Sequence, residues 1–434
     1  MIRQNFNADW TVEKGDGNSR MNSFLGNTQT KTVHLPYDAM IHEARTPDTK
    51  NGAQTGFYPG GEYIFQKHFT APQAWQGKPV SLVFEGVYQT ALVYLNGWLL
   101  TRNVNGYAEF TVEAGPYLKY GADNLLKVIA DNSLEPNSRW YTGSGIYRPV
   151  RLLVGNKVYL PQDTVRITTR EADEGFALLD VTAQVQSAST VTERVTLQQT
   201  ICREGTAVLT DRQNLLLQPG ESRTVSFRYC VDSPALWSPE NPNLYTSTMQ
   251  VLEGEEELDR EETGFGIRTL SIDAAHGVRI NGQTVKLRGA CIHHDNGILG
   301  AATLPDAEER RIRQLKEAGF NAIRSSHHPA GRALLDACDR YGVLVMDELS
   351  DVWNVRKNPY DYALYFEQDW KPTIQKMVAK DYNHPSVILY CVGNEISEAG
   401  SESGAETNRR LCNTFRELDP TRYTTNALNG LMAA

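Results

Sequence analysis

The sequence has 434 residues, 40% hydrophobic and 22% charged, which is typical of a soluble globular protein too long for one ordinary core. Its net charge of −9 provides no basic field for phosphates, so nucleic acid is excluded as an expected partner. No signal segment and no run of roughly 18 apolar residues is found, so we predict a cytoplasmic protein without membrane partners.

Residues 1–156 read as a first, all-β domain. Short alternating apolar runs, such as 63–69 and 91–98, are separated by turn residues, and Asn96 with Gly97 is a strong hairpin signal. This pattern predicts a β-sandwich of the jelly-roll type.

Residues 157–268 read as a second all-β domain. Apolar alternation is clear at 177–185 and 223–229, and a length of about 110 residues suits an immunoglobulin-like sandwich. The Cys-Trp-Cys spacing of an antibody domain is not present, so the prediction concerns architecture only.

From 269 to 434 apolar strands alternate with helical patterns, as in a parallel α/β domain. A complete (β/α)₈ TIM barrel needs about 250 residues, so we expect an incomplete barrel whose open edge exposes apolar surface that must be covered. The strand candidates are 285–291, 320–325, 342–347, 387–393 and, more weakly, 422–427; the helix candidates are 306–318, 331–341 and 369–382.

Polar residues follow each of the first four predicted barrel strands. Since TIM barrels carry their working groups at the carboxyl ends of the strands, these residues are expected to share one site. They are His293 and His294 after the first strand, His327 and His328 after the second, Asp347, Glu348 and Asp351 after the third, and Asn394 and Glu395 after the fourth.

Glu395 is the candidate catalytic acid. It directly follows an apolar strand and should emerge at the edge of a partly dry pocket, where a carboxyl group is suited to protonate a leaving group. Asn394 beside it can donate a hydrogen bond to a sugar hydroxyl. The plainer alternatives are a salt-bridged strand-end Glu395 and a turn-forming Asn394.

The two His-His pairs allow three interpretations. Adjacent histidines point in different directions and no HExxH pattern occurs, which disfavours a zinc site. Neutral imidazoles binding sugar hydroxyls are expected for His293 and His327, with structural roles for His294 and His328; a structural role for all four stays open. The six cysteines lack metal or pairing spacing and are expected to be free thiols.

Three residues after the third strand are also candidates. Trp353 is placed to stack on the apolar face of a sugar ring, although packing in the core is its plain alternative. Asp347 and Glu348 are expected to anchor a neighbouring arginine such as Arg288 or Arg324 rather than to react.

Taken together, these residues resemble family 2 of the glycoside hydrolases, which contains β-galactosidases, β-glucuronidases and β-mannosidases. The resemblance extends over the whole chain. Its motifs are 137–148, 236–245, 287–294, 321–329, 384–387 and 393–395.

The resemblance implies a sugar-binding-type jelly roll, an immunoglobulin-like domain and a catalytic TIM barrel that hydrolyses terminal β-linked sugars with retention. It implies that Glu395 is the general acid/base and that Asn394 binds substrate. It also implies that His293 and His327 touch the sugar. The loop with Asn137 and Arg139 resembles the segment through which the first domain reaches the active site; a loop serving only its own domain is the alternative.

The sequence departs from the family pattern in two respects. Some β-galactosidases bind magnesium through residues that would fall near Val352 and Asn354, which are unsuited, so we predict no metal and no cofactor. The family nucleophile is a Glu of strand seven, which we expect to lie outside this chain. Three nearby acids lie in a loop and an early helix that hold such geometry poorly: Glu398, Glu402 and Glu406.

The sequence therefore favours a retaining exo-β-glycosidase that removes terminal β-D-galactose by double displacement. The predicted partner is a β-linked galactoside or a related oligosaccharide. A β-glucuronidase of the same family and a non-catalytic carbohydrate-binding protein are the alternatives, and a homo-oligomer is compatible with the sequence.

Overall fold

The computed structural model describes residues 1–15 and 30–429, and the first ten strands of these residues form a β-sandwich. Side chains along the strands alternate between buried and exposed, so each sheet has one apolar face. The strands are β1 (Ile2–Asn5), β2 (Trp10–Gly15), β3 (Lys31–Val33), β4 (Gly61–Thr70), β5 (Val80–Phe84), β6 (Thr90–Leu95), β7 (Trp98–Asn103), β8 (Phe110–Glu113), β9 (Asp123–Asn132) and β10 (Val150–Val154).

These strands form two antiparallel sheets, in the orders β1-β10-β5-β8 and β3-β2-β4-β9-β6-β7. Their inner faces enclose one core that includes Trp10, Phe65 and Phe84. The predicted hairpin between β6 and β7 is confirmed: Asn96 and Gly97 have φ values of 53° and 90°, as a tight two-residue turn requires.

The second domain is also a two-sheet antiparallel sandwich, as predicted. In one sheet β13 pairs with β11, β12 and β16; the other has the order β15-β14-β17-β18. The strands are β11 (Val158–Tyr159), β12 (Arg166–Ala172), β13 (Phe176–Ser187), β14 (Glu193–Arg203), β15 (Thr206–Leu217), β16 (Ser222–Asp232), β17 (Tyr245–Glu253) and β18 (Glu256–Phe265).

The third domain begins with a small antiparallel sheet and continues into five parallel strands alternating with four helices. The small sheet contains β19 (Leu270–Asp273), β20 (Gly277–Ile280) and β21 (Gln283–Thr284). The parallel part contains β22 (Gly289–Ile292), α1 (Pro305–Glu317), β23 (Ala322–Ser325), α2 (Arg332–Tyr341), β24 (Leu344–Glu348), α3 (Phe366–Asp381), β25 (Val387–Asn394), α4 (Glu402–Leu418) and β26 (Tyr423–Ala427).

The parallel strands pair in sequence order, from β22 to β26, so their carboxyl ends meet along one edge of the sheet. All five predicted barrel strands and all three predicted helices are present. The first strand begins at Gly289 rather than at 285, because the Val285 N–H donates to Val278 O and so extends the small sheet instead. Short 3₁₀ helices cover Met40–His42, Gly52–Thr55, Gln73–Trp75, Gly115–Tyr117, Gly297–Leu299 and Tyr362–Leu364.

The apolar surface expected on the open barrel sheet is present. A cavity of about 240 Å³ opens on side chains from the first four parallel strands, including Ala290, Met346 and Leu389. The six cysteines are free, as predicted. Within residues 1–15 and 30–429, no helix has the length and apolar character needed to span a membrane.

All three domains meet at Arg332, the first residue of α2. Its guanidinium donates to Glu109 of the first domain at 2.8 and 2.9 Å and to Asp163 of the second domain at 3.1 Å. Both carboxylates raise the pKa of Arg332, although burial alone would lower it. The domain boundaries at 156/157 and 268/269 stay predictions.

Candidate active site

The carboxyl ends of the barrel strands bring four of the predicted residues together. The rings of His293, after β22, and His327, after β23, lie 5.5 Å apart. Arg324 of β23 lies between His327 and Asn394, with Nη2 3.4 Å from His327 Nδ1 and 2.8 Å from Asn394 Oδ1. Glu395 follows Asn394, so the four residues share one mouth of the sheet.

Glu395 lies at the rim of this mouth. Its backbone is left-handed, with φ of 46°, and its N–H donates to Ala427 O at 2.7 Å. The carboxylate is 43% exposed and lies 3.5 Å from Arg139 Nη1. In the described residues it therefore has a charged and solvated neighbourhood rather than the partly dry pocket expected from the sequence.

Asn394 is held on three sides. Its Oδ1 accepts from Arg324, its Nδ2 donates to Asp351 Oδ1 at 2.8 Å, and its backbone oxygen accepts from Lys357 Nζ at 2.6 Å. The amide orientation is fixed because one end faces a cation and the other a carboxylate. An amide nitrogen has two N–H groups, so one remains to donate to a ligand.

Glu348 is fully buried and anchors two neighbours. It accepts from Arg324 at 2.6 Å through Oε1 and contacts His327 Nδ1 at 2.9 Å through Oε2. An ionised carboxylate only accepts, so the proton of a neutral His327 lies on Nδ1 and Nε2 is the acceptor. The predicted anchoring of Arg324 by Glu348 is confirmed.

The other predicted arginine anchor is wrong. Asp347 accepts from Ala330 N at 2.8 Å, and its Oδ2 lies 3.8 Å from Lys380 Nζ. Burial and the neighbouring Asp381 carboxylate raise the pKa of Asp347. Arg288 donates instead to Gly319 O.

A loop of the first domain enters the barrel mouth through Arg139. Its Nε and Nη2 donate to the two carboxylate oxygens of Asp351 at 3.2 and 2.7 Å, while Nη1 faces Glu395. Burial works against ionisation of Asp351, but the hydrogen bond from Arg139 and the charge of Lys357 outweigh it and lower the pKa. The predicted approach of this loop to the barrel is confirmed.

Trp140, the next residue of this loop, forms an aromatic wall of the mouth. Its ring centroid lies 5.1 Å from that of His293 and 5.5 Å from that of His327, and its indole N–H donates to Tyr107 Oη at 3.1 Å. Trp140 was not among the site residues predicted from the sequence. Its position beside Arg139, in a loop already expected to reach the site, was the signal that could have identified it.

One predicted site residue, Trp353, lies in the core of the barrel domain. Trp353 has an exposed fraction of 0%, and its indole N–H donates to Val392 O at 2.8 Å. Its ring belongs to the barrel core and offers no stacking surface, which corrects the sequence prediction.

Asn137 makes the contacts of a residue that holds its own domain together. Its Nδ2 donates to Asn132 Oδ1 and to Leu134 O, both at 2.7 Å. It borders a cavity of about 50 Å³ with Trp140 and His327, which has room for water but not for a sugar ring. We therefore omit Asn137 from the sugar contacts.

His294 and His328 lie behind the mouth, as the structural interpretation predicted. His294 Nε2 lies 2.9 Å from Thr142 O, and the ring of His328 stacks on Tyr107 with centroids 3.7 Å apart. Burial lowers the pKa of His294 to about 3 and that of His328 well below its ordinary value. Burial and the neighbouring His327 also lower the pKa of His293, so these three imidazoles are neutral near pH 7.

The residues around Glu395 do not fit a divalent cation. Two neighbouring oxygen ligands, the Asp351 carboxylate and the backbone oxygen of Asn394, are already bound by Arg139 or Lys357. In the described ranges, a group with metal-ligand geometry is Asp336, Asp339 and His384, before the amino end of β25. There His384 Nδ1 is bonded to Asp339 at 2.6 Å.

Comparison with known proteins assigns each part of the chain to one family. Three family models match: "Glycosyl hydrolase 2 galactose-binding domain-like" at 10–176, "Glycosyl hydrolases family 2" at 158–268, and "Glycosyl hydrolases family 2, TIM barrel domain" at 274–431.

Similar proteins agree with these matches. β-Galactosidase BoGH2A of Bacteroides ovatus is 37% identical over 93% of this chain and 48% of its own length. A putative β-glucuronidase of Formosa agariphila is 31% identical over 98% and 40%. The crystal structure of a family 2 member from Bacteroides cellulosilyticus superimposes with a TM-score of 0.95 at 36% identity, covering 99% of this chain and 56% of that one. The chain thus spans about half the length of the curated relatives it matches.

Proposed function

The chain belongs to glycosyl hydrolase family 2, and from this membership we propose that it supplies the acid/base side of the active site of a retaining exo-β-glycosidase. The observation that carries the proposal is the position of Glu395. Glu395 directly follows the fourth parallel strand, beside a fixed amide and at the same edge of the sheet as His293 and His327.

In the proposed reaction Glu395 acts twice. It protonates the glycosidic oxygen while a carboxylate nucleophile forms a glycosyl-enzyme bond, and it then takes a proton from the water that hydrolyses that bond. The nucleophile is a carboxylate outside residues 1–434, held about 5–5.5 Å from Glu395. Asp351 and Glu398 are unsuitable, because Asp351 binds two cations and Glu398 accepts from the backbone N–H groups of Asn354 and Val355.

The sugar is bound by groups that are already oriented. The remaining N–H of Asn394 donates to a ring hydroxyl, His327 accepts through Nε2, and His293 offers a neutral imidazole. Trp140 takes the stacking role that the sequence analysis gave to Trp353, because its ring borders both imidazoles.

We propose that the sugar is galactose, because the cations at the mouth already contact carboxylates of the protein. In the described residues each cation near Asn394 and Glu395 is paired: Arg139 and Lys357 with Asp351, and Arg324 with Glu348. A sugar carboxylate would have to displace one of these partners. The relative BoGH2A, a β-galactosidase, supports the same choice.

β-Glucuronidase is the second candidate, because relatives with that name match nearly the whole chain. We expect the full-length enzyme to hydrolyse nitrophenyl β-galactoside with a higher kcat/KM than nitrophenyl β-glucuronide. Faster hydrolysis of the glucuronide would replace the proposed substrate. Sugar binding without hydrolysis of either would support the non-catalytic alternative.

A further inference from the structure

Lys357 joins the loop after β24 to the end of β25. Its Nζ donates to Asp351 Oδ1 at 2.9 Å, to Asp351 O at 2.7 Å and to Asn394 O at 2.6 Å. The side chain is only 12% exposed. An ammonium group has three N–H donors, so all three are used within the protein and none is left for a substrate.

The group that Lys357 holds is the peptide bond that leads into Glu395. Lys357 binds the oxygen of this peptide, and Ala427 O accepts from its N–H at 2.7 Å. Both polar groups of the peptide are therefore fixed, one by the loop after β24 and the other by β26. Rotation of this peptide would break both hydrogen bonds.

The backbone of Glu395 requires this support. Its φ of 46° is left-handed, a region that side chains with a Cβ adopt at a cost and keep only where their surroundings impose it. The left-handed turn directs the carboxylate to its contact with Arg139. If the peptide were released, the backbone could return to an ordinary conformation and carry the carboxylate away from the mouth.

We propose that Lys357 is a positioning residue for the acid/base, which holds the peptide between Asn394 and Glu395 in the orientation that presents the carboxylate to the glycosidic oxygen. The inference rests on the proposed function. Asp351 supports the same arrangement, because its carboxylate accepts from Lys357, Arg139 and the Asn394 amide and so orients all three.

A leaving-group series in the full-length enzyme tests the role. Lys357→Met keeps the length of the side chain and removes its three donors. We expect kcat/KM for alkyl β-glycosides, which need a proton donor, to fall about 30-fold or more, and that for dinitrophenyl glycosides to change less than about 5-fold. Lys357→Arg, which keeps the charge with another geometry, should lose less on the alkyl substrates.

The matched control is Lys316→Met. Lys316 Nζ also binds backbone oxygens, those of Pro239 and Gly342, but it lies at the other end of the barrel strands. The Lys316→Met variant should have a lower free energy of unfolding, but the dependence of its kcat/KM on the leaving group should match that of the parent. The positioning role would be overturned if Lys357→Met lowered kcat/KM equally for all leaving groups. It would also be overturned if Lys316→Met lowered kcat/KM selectively for the alkyl glycosides.

A crystal structure of the Lys357→Met enzyme gives a readout that does not depend on activity. We expect Asn394 O to be rotated away and φ of Glu395 to become negative. An unchanged peptide would overturn the inference while leaving the proposed function in place. A parent enzyme that hydrolyses no β-glycoside would refute both.

Discussion

At the scale of single residues, the proposed acid/base Glu395 contacts Arg139 of the first domain. The guanidinium lies 3.5 Å from the carboxylate, but its other two donors are held by Asp351. Glu395 is therefore close to a cation that shares the Asp351 carboxylate with Lys357. The proposed role requires this carboxyl group to give a proton to the leaving group and then to take one from water.

Glu395→Gln keeps the shape of the side chain but removes the proton. We expect kcat/KM for alkyl glycosides of the preferred sugar to fall about 100- to 10,000-fold, because these leaving groups depart only when protonated. Dinitrophenyl glycosides should retain much more of their rate. Steady-state kinetics on both substrates measures the difference, and equal losses on the two would argue against the acid/base assignment.

The sequence was sufficient to predict site residues whose position depends on the end of a strand. It was not sufficient where the direction of the side chain determines whether a residue reaches the site. Glu395 and Asn394 could be assigned because a strand end determines their position. Trp353 also follows a strand end, but its side chain turns into the core. Trp140 belongs to another domain, so its approach to the histidines depends on packing that no local pattern records.

At the scale of elements, the pair His384 and Asp339 ties α2 to the start of β25. His384 Nδ1 lies 2.6 Å from Asp339 Oδ2, and Asp339 Oδ1 accepts from Ser386 N at 3.0 Å. Burial alone would lower the pKa of His384, but the charge of Asp339 and its hydrogen bond outweigh burial and raise it. The helix is thus joined to the strand by a charged hydrogen bond.

This raised pKa gives the stability a defined pH dependence. A histidine whose folded pKa exceeds the unfolded value of about 6.5 stabilises the fold fully below that value and less as pH rises through the folded pKa. We expect the difference in free energy of unfolding between the parent and His384→Asn to be larger at about pH 6 than at about pH 9. Urea unfolding measures it, with exposed His68→Asn as the control. A difference that grows with pH would contradict the expected direction.

Element positions were predictable from periodicity, whereas one strand start was not. The helical and extended patterns located the five parallel strands and the first three barrel helices to within a few residues, but α4 (Glu402–Leu418) was not among the predicted helices. The start of β22 differs from the prediction because the Val285 N–H donates to Val278 O in the small sheet. Val278 lies outside the apolar run from which the strand was predicted. The periodicity of apolar residues indicates which face of a strand is buried, but it does not indicate which neighbouring strand that strand pairs with.

At the scale of the molecule, Arg332 fixes the relative positions of the three domains. The sequence predicted the domains but not this junction, because Glu109 and Asp163 are far from Arg332 in the sequence. Arg332→Met should lower the free energy of unfolding by about 3 kcal/mol, since it leaves Asp163 without its ion-pair partner and Glu109 with Arg151 alone. Thermal unfolding should also show the domains melting more separately than in the parent.

The control for this prediction is Arg170→Met. Arg170 pairs with Asp180 at 2.6 Å within the second domain, and its side chain is largely exposed. Such a pair contributes about 0–1 kcal/mol, so the variant should unfold nearly as the parent does. A loss for Arg332→Met no greater than for this variant would mean that the junction does not hold the domains together.

Because Arg139 and Trp140 enter the barrel mouth, the first domain and the barrel have to match each other at this loop and are expected to evolve together. In a chimaera that joins this barrel to the first domain of a relative, the relative's loop would have to supply the cation beside Glu395 and the ring beside His293 and His327. Recombination between members of the family is therefore constrained at this loop, although the loop lies outside the domain that carries the proposed acid/base.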